Sequence, residues 1–149
     1  MLCSLDTNIL LYAANRDCPE HLRCHTLLRQ AMSETAKWIL SDQVLFELYR
    51  ALRNPRILAK PLSAAAAAQY IRMLREETGF MHCWYDGDCW TESIARIERR
   101  DFPYQRTHDT VLAATLLNQG VTTFYTRNTK DFRNAGFERL IDPLAGSVS

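Results

Sequence analysis

Five short β-prone apolar runs alternate along the chain with segments of helical periodicity, and this alternation restricts the fold more than any other feature. The runs are 2–6, Trp38-Ile39-Leu40, 80–85, 122–126 and Leu140-Ile141. Residues 7–13 can begin a helix directly after the first run. Asp17 and Pro19 then read as an N-cap and a first-turn proline for a helix to about Glu34, with Cys24, Leu27, Leu28 and Ala31 on one face. Ser41 or Asp42 caps a helix over 42–54 whose apolar face carries Val44, Leu45, Leu48 and Leu52, and Pro55 ends it. A second helix, 63–78, starts after Ser63 and stops at Gly79, so that 42–78 forms a helical hairpin with a short basic loop. Residues 88–99 are helical, and a nearly all-round apolar helix, Thr107 to Asn118, is expected to be mostly buried and is closed by Gly120. Strands alternating with helices predict an α/β fold: a central, mainly parallel sheet of four to five strands with helices on both faces, three layers in all. The chain is read as one domain, 1–149.

Composition removes several classes. Of 149 residues, 47% are hydrophobic and 23% charged, the balance of a globular chain, with neither disordered nor membrane-like bias. No run approaches the ~20 apolar residues of a spanning helix. Asp6 follows too soon after Met1 for a secretory signal, and five cysteines without a CxxC pair argue for free thiols, so a cytoplasmic location and no membrane association are expected. Cys18, His21 and His25 fall at helical spacing, but such loose spacing is seldom a zinc site. The net charge of +1 says little about nucleic acid; its distribution says more. Basic residues cluster as Arg50, Arg53, Arg56 and Lys60, as Arg96, Arg99, Arg100 and Arg106, and as Arg127, Lys130 and Arg133. They are ordinary solvated faces unless they ring an acidic centre, where they would hold phosphates.

In open α/β sheets ligands collect at the carboxyl ends of the strands, which directs attention to four acids. Asp6 closes the first run, Glu47 lies within two turns of the second, and Asp131 follows the fourth. Asp109 occupies the first turn of the buried helix. Each alone has a plain structural explanation as a cap, a first-turn acid or a surface charge. Asp6 is the exception, because apolar residues on both sides make it partly buried, and a buried carboxylate without a partner is costly. Converging carboxylates repel and hold protons until a cation arrives, and hard divalent ions prefer such oxygen donors.

At these residues the sequence resembles the PIN-domain family, and within it the VapC-type toxins of bacterial toxin–antitoxin pairs. Leu5-Asp6-Thr7-Asn8-Ile9-Leu10 resembles the family's opening motif. Glu47, in Val44-Leu45-Phe46-Glu47-Leu48, resembles its second acid, and Asp109, in His108-Asp109-Thr110-Val111, its third. Thr126-Arg127-Asn128-Thr129-Lys130-Asp131-Phe132 resembles the closing stretch, with Asn128 where some relatives carry an acid, so that the fourth acidic role falls to Asp131. The match runs in order over nearly the whole chain. It implies a PIN-like three-layer α/β/α fold with a protruding helical hairpin. It further implies an endoribonuclease cutting single-stranded or looped RNA, a homodimer, and neutralisation by a small VapB-like antitoxin.

The chemistry expected of such a site is phosphodiester hydrolysis with one or two Mg²⁺ or Mn²⁺ ions. Asp6 and Asp109 would bind the principal ion, while Glu47 and Asp131 bind a second or orient water. Asn8, Thr126 and Asn128 are supporting polar residues, and Arg50, Arg127 and Lys130 would contact RNA phosphates. Trp84, Trp90 and Tyr104 would stack unpaired bases, and Tyr49 and Tyr70 would serve dimer contacts, although core packing is the commoner fate of such aromatics. Two rival readings are a catalytically inactive PIN-like scaffold for RNA or protein, and a haloacid-dehalogenase-like phosphatase. The latter wants a second Asp two residues after the first, where this chain has Asn8.

Overall fold

A computed structural model describes residues 1–146. Five strands occur in it: β1 (Leu2–Leu5), β2 (Ile39–Ser41), β3 (Met81–Cys83), β4 (Val121–Tyr125) and β5 (Arg139–Ile141). Every pairing between them is parallel, but they form two ladders, β1-β4-β5 and β2-β3, where one continuous sheet was expected. Among the described residues only the Cys3–Trp38 bridge joins the ladders along the backbone. A side chain supplements it: the buried Ser4 hydroxyl donates to the Ile39 carbonyl at 2.6 Å. The short length of β2 and β3, three residues each, explains why pairing runs out at this seam.

The helices are α1 (Thr7–Ala14), α2 (His21–Ser33), α3 (Asp42–Leu52), α4 (Ala64–Glu76), α5 (Gly87–Ile97), α6 (Thr107–Asn118) and the single turn α7 (Thr129–Phe132). They complete the three-layer α/β/α arrangement expected from the alternation. Ser41 caps α3 through the Gln43 amide, and Ser63 caps α4 through the Ala66 amide. The two helices pack as a hairpin closed by the Leu62 amide donating to the Leu52 carbonyl at 2.9 Å. Gly79 ends this unit at φ +87°, a conformation that glycine adopts without steric penalty.

The start of α2 differs from expectation. Asp17 does not cap it; its amide instead donates to Asn15 Oδ1, a local turn that occupies the chain before the helix. The helix opens at His21, whose amide takes the Cys18 carbonyl, and Glu20 at the cap position offers no side-chain bond.

Leu5, Ile9 and Leu10 from β1 and α1, Val44 and Leu48 from α3, Leu112 and Leu116 from α6, and Phe124 from β4 share one core. Phe132 enters that core edge-on to Phe124, with centroids 4.9 Å apart, and so anchors α7 beneath its exposed residues. Among the described residues no helix is long and apolar enough to cross a membrane.

Because the ladders share so little backbone pairing, Ser4→Ala should lower unfolding free energy by about 1–3 kcal/mol, the cost of leaving a buried carbonyl without its donor. Urea denaturation measures this. An unchanged midpoint would mean that packing alone holds the seam.

Candidate active site

Parallel pairing brings the C-terminal ends of β1 and β4 together. Leu5 faces Tyr125 in register, and one residue further the Asp6 amide donates to the Tyr125 carbonyl at 2.9 Å. Asp6 leaves the strand with extended backbone and becomes the N-cap of α1, its Oδ1 accepting from the Thr7 amide at 2.8 Å. Its Oδ2 accepts from the buried Thr126 hydroxyl at 2.7 Å and faces the Asn8 amide group at 3.5 Å. The Thr126 oxygen in turn accepts from the Asn128 amide at 3.0 Å, and Asn8 Oδ1 accepts from the Arg127 amide at 3.2 Å. The β1–α1 turn and the β4–α7 loop are thereby laced together around one carboxylate that is 7% exposed.

Glu47 reaches the same region from α3 and is held at both oxygens. Thr7 Oγ1 donates to Oε2 at 2.8 Å, and Gln43 Nε2 donates to Oε1 at 3.1 Å. Gln43 is buried and joins three elements: the same amide nitrogen donates to the His108 carbonyl at 3.1 Å, and its Oε1 accepts from the Tyr85 hydroxyl. His108 precedes Asp109, so one side chain ties the acid of α3 to the first turn of α6.

Asp109 and Asp131 line a common cavity of about 410 Å³, walled by Arg96, Arg99 and Arg106. Arg106 also donates to the Asp131 carbonyl at 2.6 Å, fixing α7 against the start of α6. Among the described residues none of the four acids is ion-paired. Burial, with a smaller push from the charges of Asp109 and Glu47, therefore raises the Asp6 carboxyl to about 6 against the opposing hydrogen bonds from Thr126 and Thr7. Burial also raises Asp109, reinforced by the charges of Asp131 and Glu47 and relieved in part by Arg106 and His108.

Asp6, Glu47 and Asp109 thus fall within electrostatic reach of one another and Asp131 within reach of Asp109, with three of the four partly or wholly removed from water. Among the described residues no three Asp, Glu, His or Cys side chains close into a ready-made cage for an ion. That geometry suits a cation which takes one or two carboxylates and keeps most of its own water, and the donors are all hard oxygens. Cys18, His21 and His25 make no cage either: the Cys18 thiol and His21 ring are engaged with backbone carbonyls of Asn15 and Tyr12.

The remaining expected residues are distributed unevenly. Arg50 lines a second cleft, of about 340 Å³, that contains Glu47. The Arg127 guanidinium instead pairs with Asp142 at 3.1 Å and borders a separate depression beside Pro19 and Arg23. Lys130 and Asn128 are exposed around α7. Trp84, Trp90 and Tyr104 are all exposed, whereas Tyr49 and Tyr70 are half-buried against the core. Thr7, Gln43 and Tyr85 were not foreseen, whereas Arg96, Arg99 and Arg106 belong to a basic cluster expected to hold phosphates only if it ringed an acidic centre. Gln43 stands one helical turn before Glu47, a spacing that could have revealed it. The approach of the three arginines to Asp131, 25 to 35 residues away, left no local trace in the sequence.

The PIN domain pattern matches residues 4–138. The chain is 37% identical over 147 residues to Ribonuclease VapC24 of Mycobacterium tuberculosis (strain CDC 1551 / Oshkosh), covering 96% of this chain and 97% of that protein. Among solved structures it is similar to Mycobacterium tuberculosis VapC20, described as a sarcin-ricin loop cleaving toxin. That likeness has a TM-score of 0.67 at 20% identity and covers 91% of this chain and 95% of the other. It is also similar to a chain of DNA-bound VapBC from Salmonella typhimurium, with a TM-score of 0.64 at 20% identity over 96% and 99% of the respective chains. At these identities the structural likenesses show the fold.

The raised Asp6 gives a signed expectation for the metal-free protein. A folded-state value of about 6 against an ordinary 3.8 means that the native state holds the proton more tightly. Stability attributable to Asp6 is therefore greatest below about pH 4 and falls as pH rises to about 6. Asp6→Asn removes that loss. Its advantage over the parent should grow by on the order of 3 kcal/mol between about pH 4 and pH 7 in chelator. Chemical denaturation at the two pH values measures the difference, and a constant offset would contradict the burial argument.

Proposed function

The chain belongs to the PIN domain family, and from that premise we propose that it is a metal-dependent endoribonuclease, the toxin of a VapBC-type pair. The observation that carries this reading is the uncompensated, buried Asp6 carboxylate at a strand end, coupled to Asp109 and Glu47. A site built to favour protonation in isolation becomes favourable for charge when a cation is supplied.

Asp6 and Asp109 are the proposed ligands of Mg²⁺ or Mn²⁺, with Glu47 and Asp131 serving a second ion or its water shell. Bound there, a hard divalent ion lowers the pKa of water and offsets negative charge on the phosphate in the transition state. The protein's own contribution is placement. Thr126 and Thr7 hold Asp6 in one rotamer, and Asn8 laces the loop that carries them. Glu47, accepting hydrogen bonds at both oxygens, keeps its charge directed and is suited to orient the attacking water. Arg99 and Arg106 present cations beside Asp109 and Asp131, where neighbouring phosphates would lie, while Arg96 is held by Glu92 at 3.2 Å. Arg50 and Lys130 extend that contact.

The proposed partners are RNA, a second copy of the chain and a small VapB-like antitoxin. The proposed setting is the cytoplasm, consistent with five free cysteines. The whole chain, 1–149, is taken as the catalytic unit.

The test is cleavage of total RNA by the purified protein in Mg²⁺, in Mn²⁺ and in EDTA. Cutting should require a metal. Asp6→Asn and Asp109→Asn should each reduce it more than about 100-fold, and Gln43→Ala about 10- to 100-fold by releasing Glu47. Because Asp6→Asn is also expected to stabilise the metal-free fold at neutral pH, lost activity cannot be confused with unfolding. A parent protein that leaves RNA intact with both metals would end the nuclease reading.

A further inference from the structure

Beside Glu47, and distinct from the arginine-walled cavity, lies the cleft of about 340 Å³ lined by Phe46, Trp84, Tyr85, Arg50 and His108. Phe46 and Trp84 are large apolar side chains left 60% and 42% exposed, in a chain that buries most of its others. Their rings meet edge-on at 6.0 Å, and Trp84 lies 4.3 Å from Tyr85 between centroids. Phe46 and Arg50 stand one turn apart on α3, so an aromatic surface and a cation face the same space. Among the described residues Arg50 has no acidic partner.

We propose that this cleft is a stacking subsite for one unpaired nucleobase of the RNA, next to the phosphate that is cut. The inference rests on the ribonuclease reading above and adds to it where a base is held. Three features favour a base over another occupant. An aromatic wall with an adjacent guanidinium matches a π-face attached to a phosphate. The cleft is continuous with the hydrolytic centre through Glu47, which lines it. The arginine-walled cavity, rich in arginine and acid, offers charge but only one aromatic ring in its lining, so sugar-phosphate and base are sorted to different cavities. The wall is also connected to the acid: the Tyr85 hydroxyl donates to Gln43, which donates to Glu47. Because stacking reads every base face, the subsite selects single-stranded or looped RNA and imposes little sequence preference.

The deciding experiment measures binding without cleavage. Full-length Asp6→Asn protein in EDTA is titrated with fluorescently labelled oligoadenylate and with an abasic ribose-phosphate strand of the same length. Oligoadenylate should bind about tenfold more tightly. Adding Trp84→Ala should remove that preference by weakening oligoadenylate alone, and Trp84→Phe should restore most of it. A Trp84→Ala protein that keeps the preference overturns the proposal. So does equal binding of the two strands by the starting protein. A Trp84→Ala change in oligomeric state, with base preference intact, would assign the wall to a second copy and overturn it as well. Failure of the nuclease reading shows separately, as absence of metal-dependent cutting by the parent protein, whereas cutting with unchanged base preference removes the subsite alone.

Discussion

The Asp6 carboxylate is almost wholly withdrawn from water, takes short hydrogen bonds from Thr126 and Thr7, and meets no positive side chain among the described residues. Two hydrogen bonds do not replace full hydration of an anion, and two further acids lie near enough to raise its proton affinity. The surrounding architecture serves to hold this unfavourable arrangement in place. β1 and β4 pair in parallel so that their ends coincide, α1 begins on the carboxylate itself, and Asn8 reaches across to the loop after β4. Such a centre holds a proton more tightly than an ordinary exposed carboxyl does.

Around that point the molecule separates kinds of contact. The α5–α6 side contributes arginines to a polar cavity containing Asp109 and Asp131. The α3 side and the loop after β3 contribute aromatic rings and Arg50 to a cleft containing Glu47. Gln43 spans the division, bonded to α3, α6 and Tyr85 at once. A buried amide satisfied at both ends in this way is rigid, since losing any one bond leaves a polar atom stranded. Precise placement of Glu47 therefore comes from a residue with no charge and no catalytic chemistry of its own.

Much of this organisation could be read before any coordinates. Thr107–Asn118 was legible as a largely buried helix because its run from Val111 to Leu117 is apolar but for Thr115, and α3 and α4 because serine caps precede clear helical faces. Asp6 and Thr126 were legible because each follows a β-prone run, where parallel strands present their ends. Other features escaped for physical reasons. Asn15 captured the Asp17 amide, a local competition that displaced the start of α2. Arg127, within the closing motif, turned to Asp142, whose position depends on β5. The division of the strands into two ladders followed from pairing between β1 and the β2 segment that is limited to the Cys3–Trp38 bridge among the described residues.

The sequence by itself determined the α/β alternation, the strand ends at which polar residues gather, and the acids that stand there. Those properties are local, set by periodicity, capping and turn chemistry within a few residues. Only the tertiary structure decided that Asp6 loses its water, that Glu47 is gripped by Thr7 and Gln43, and which arginines and aromatic rings flank the acids. Desolvation and electrostatic coupling are sums over neighbours brought from 40 to 120 positions away, as in the Thr7–Glu47 and Asp6–Thr126 bonds. No local pattern encodes such sums.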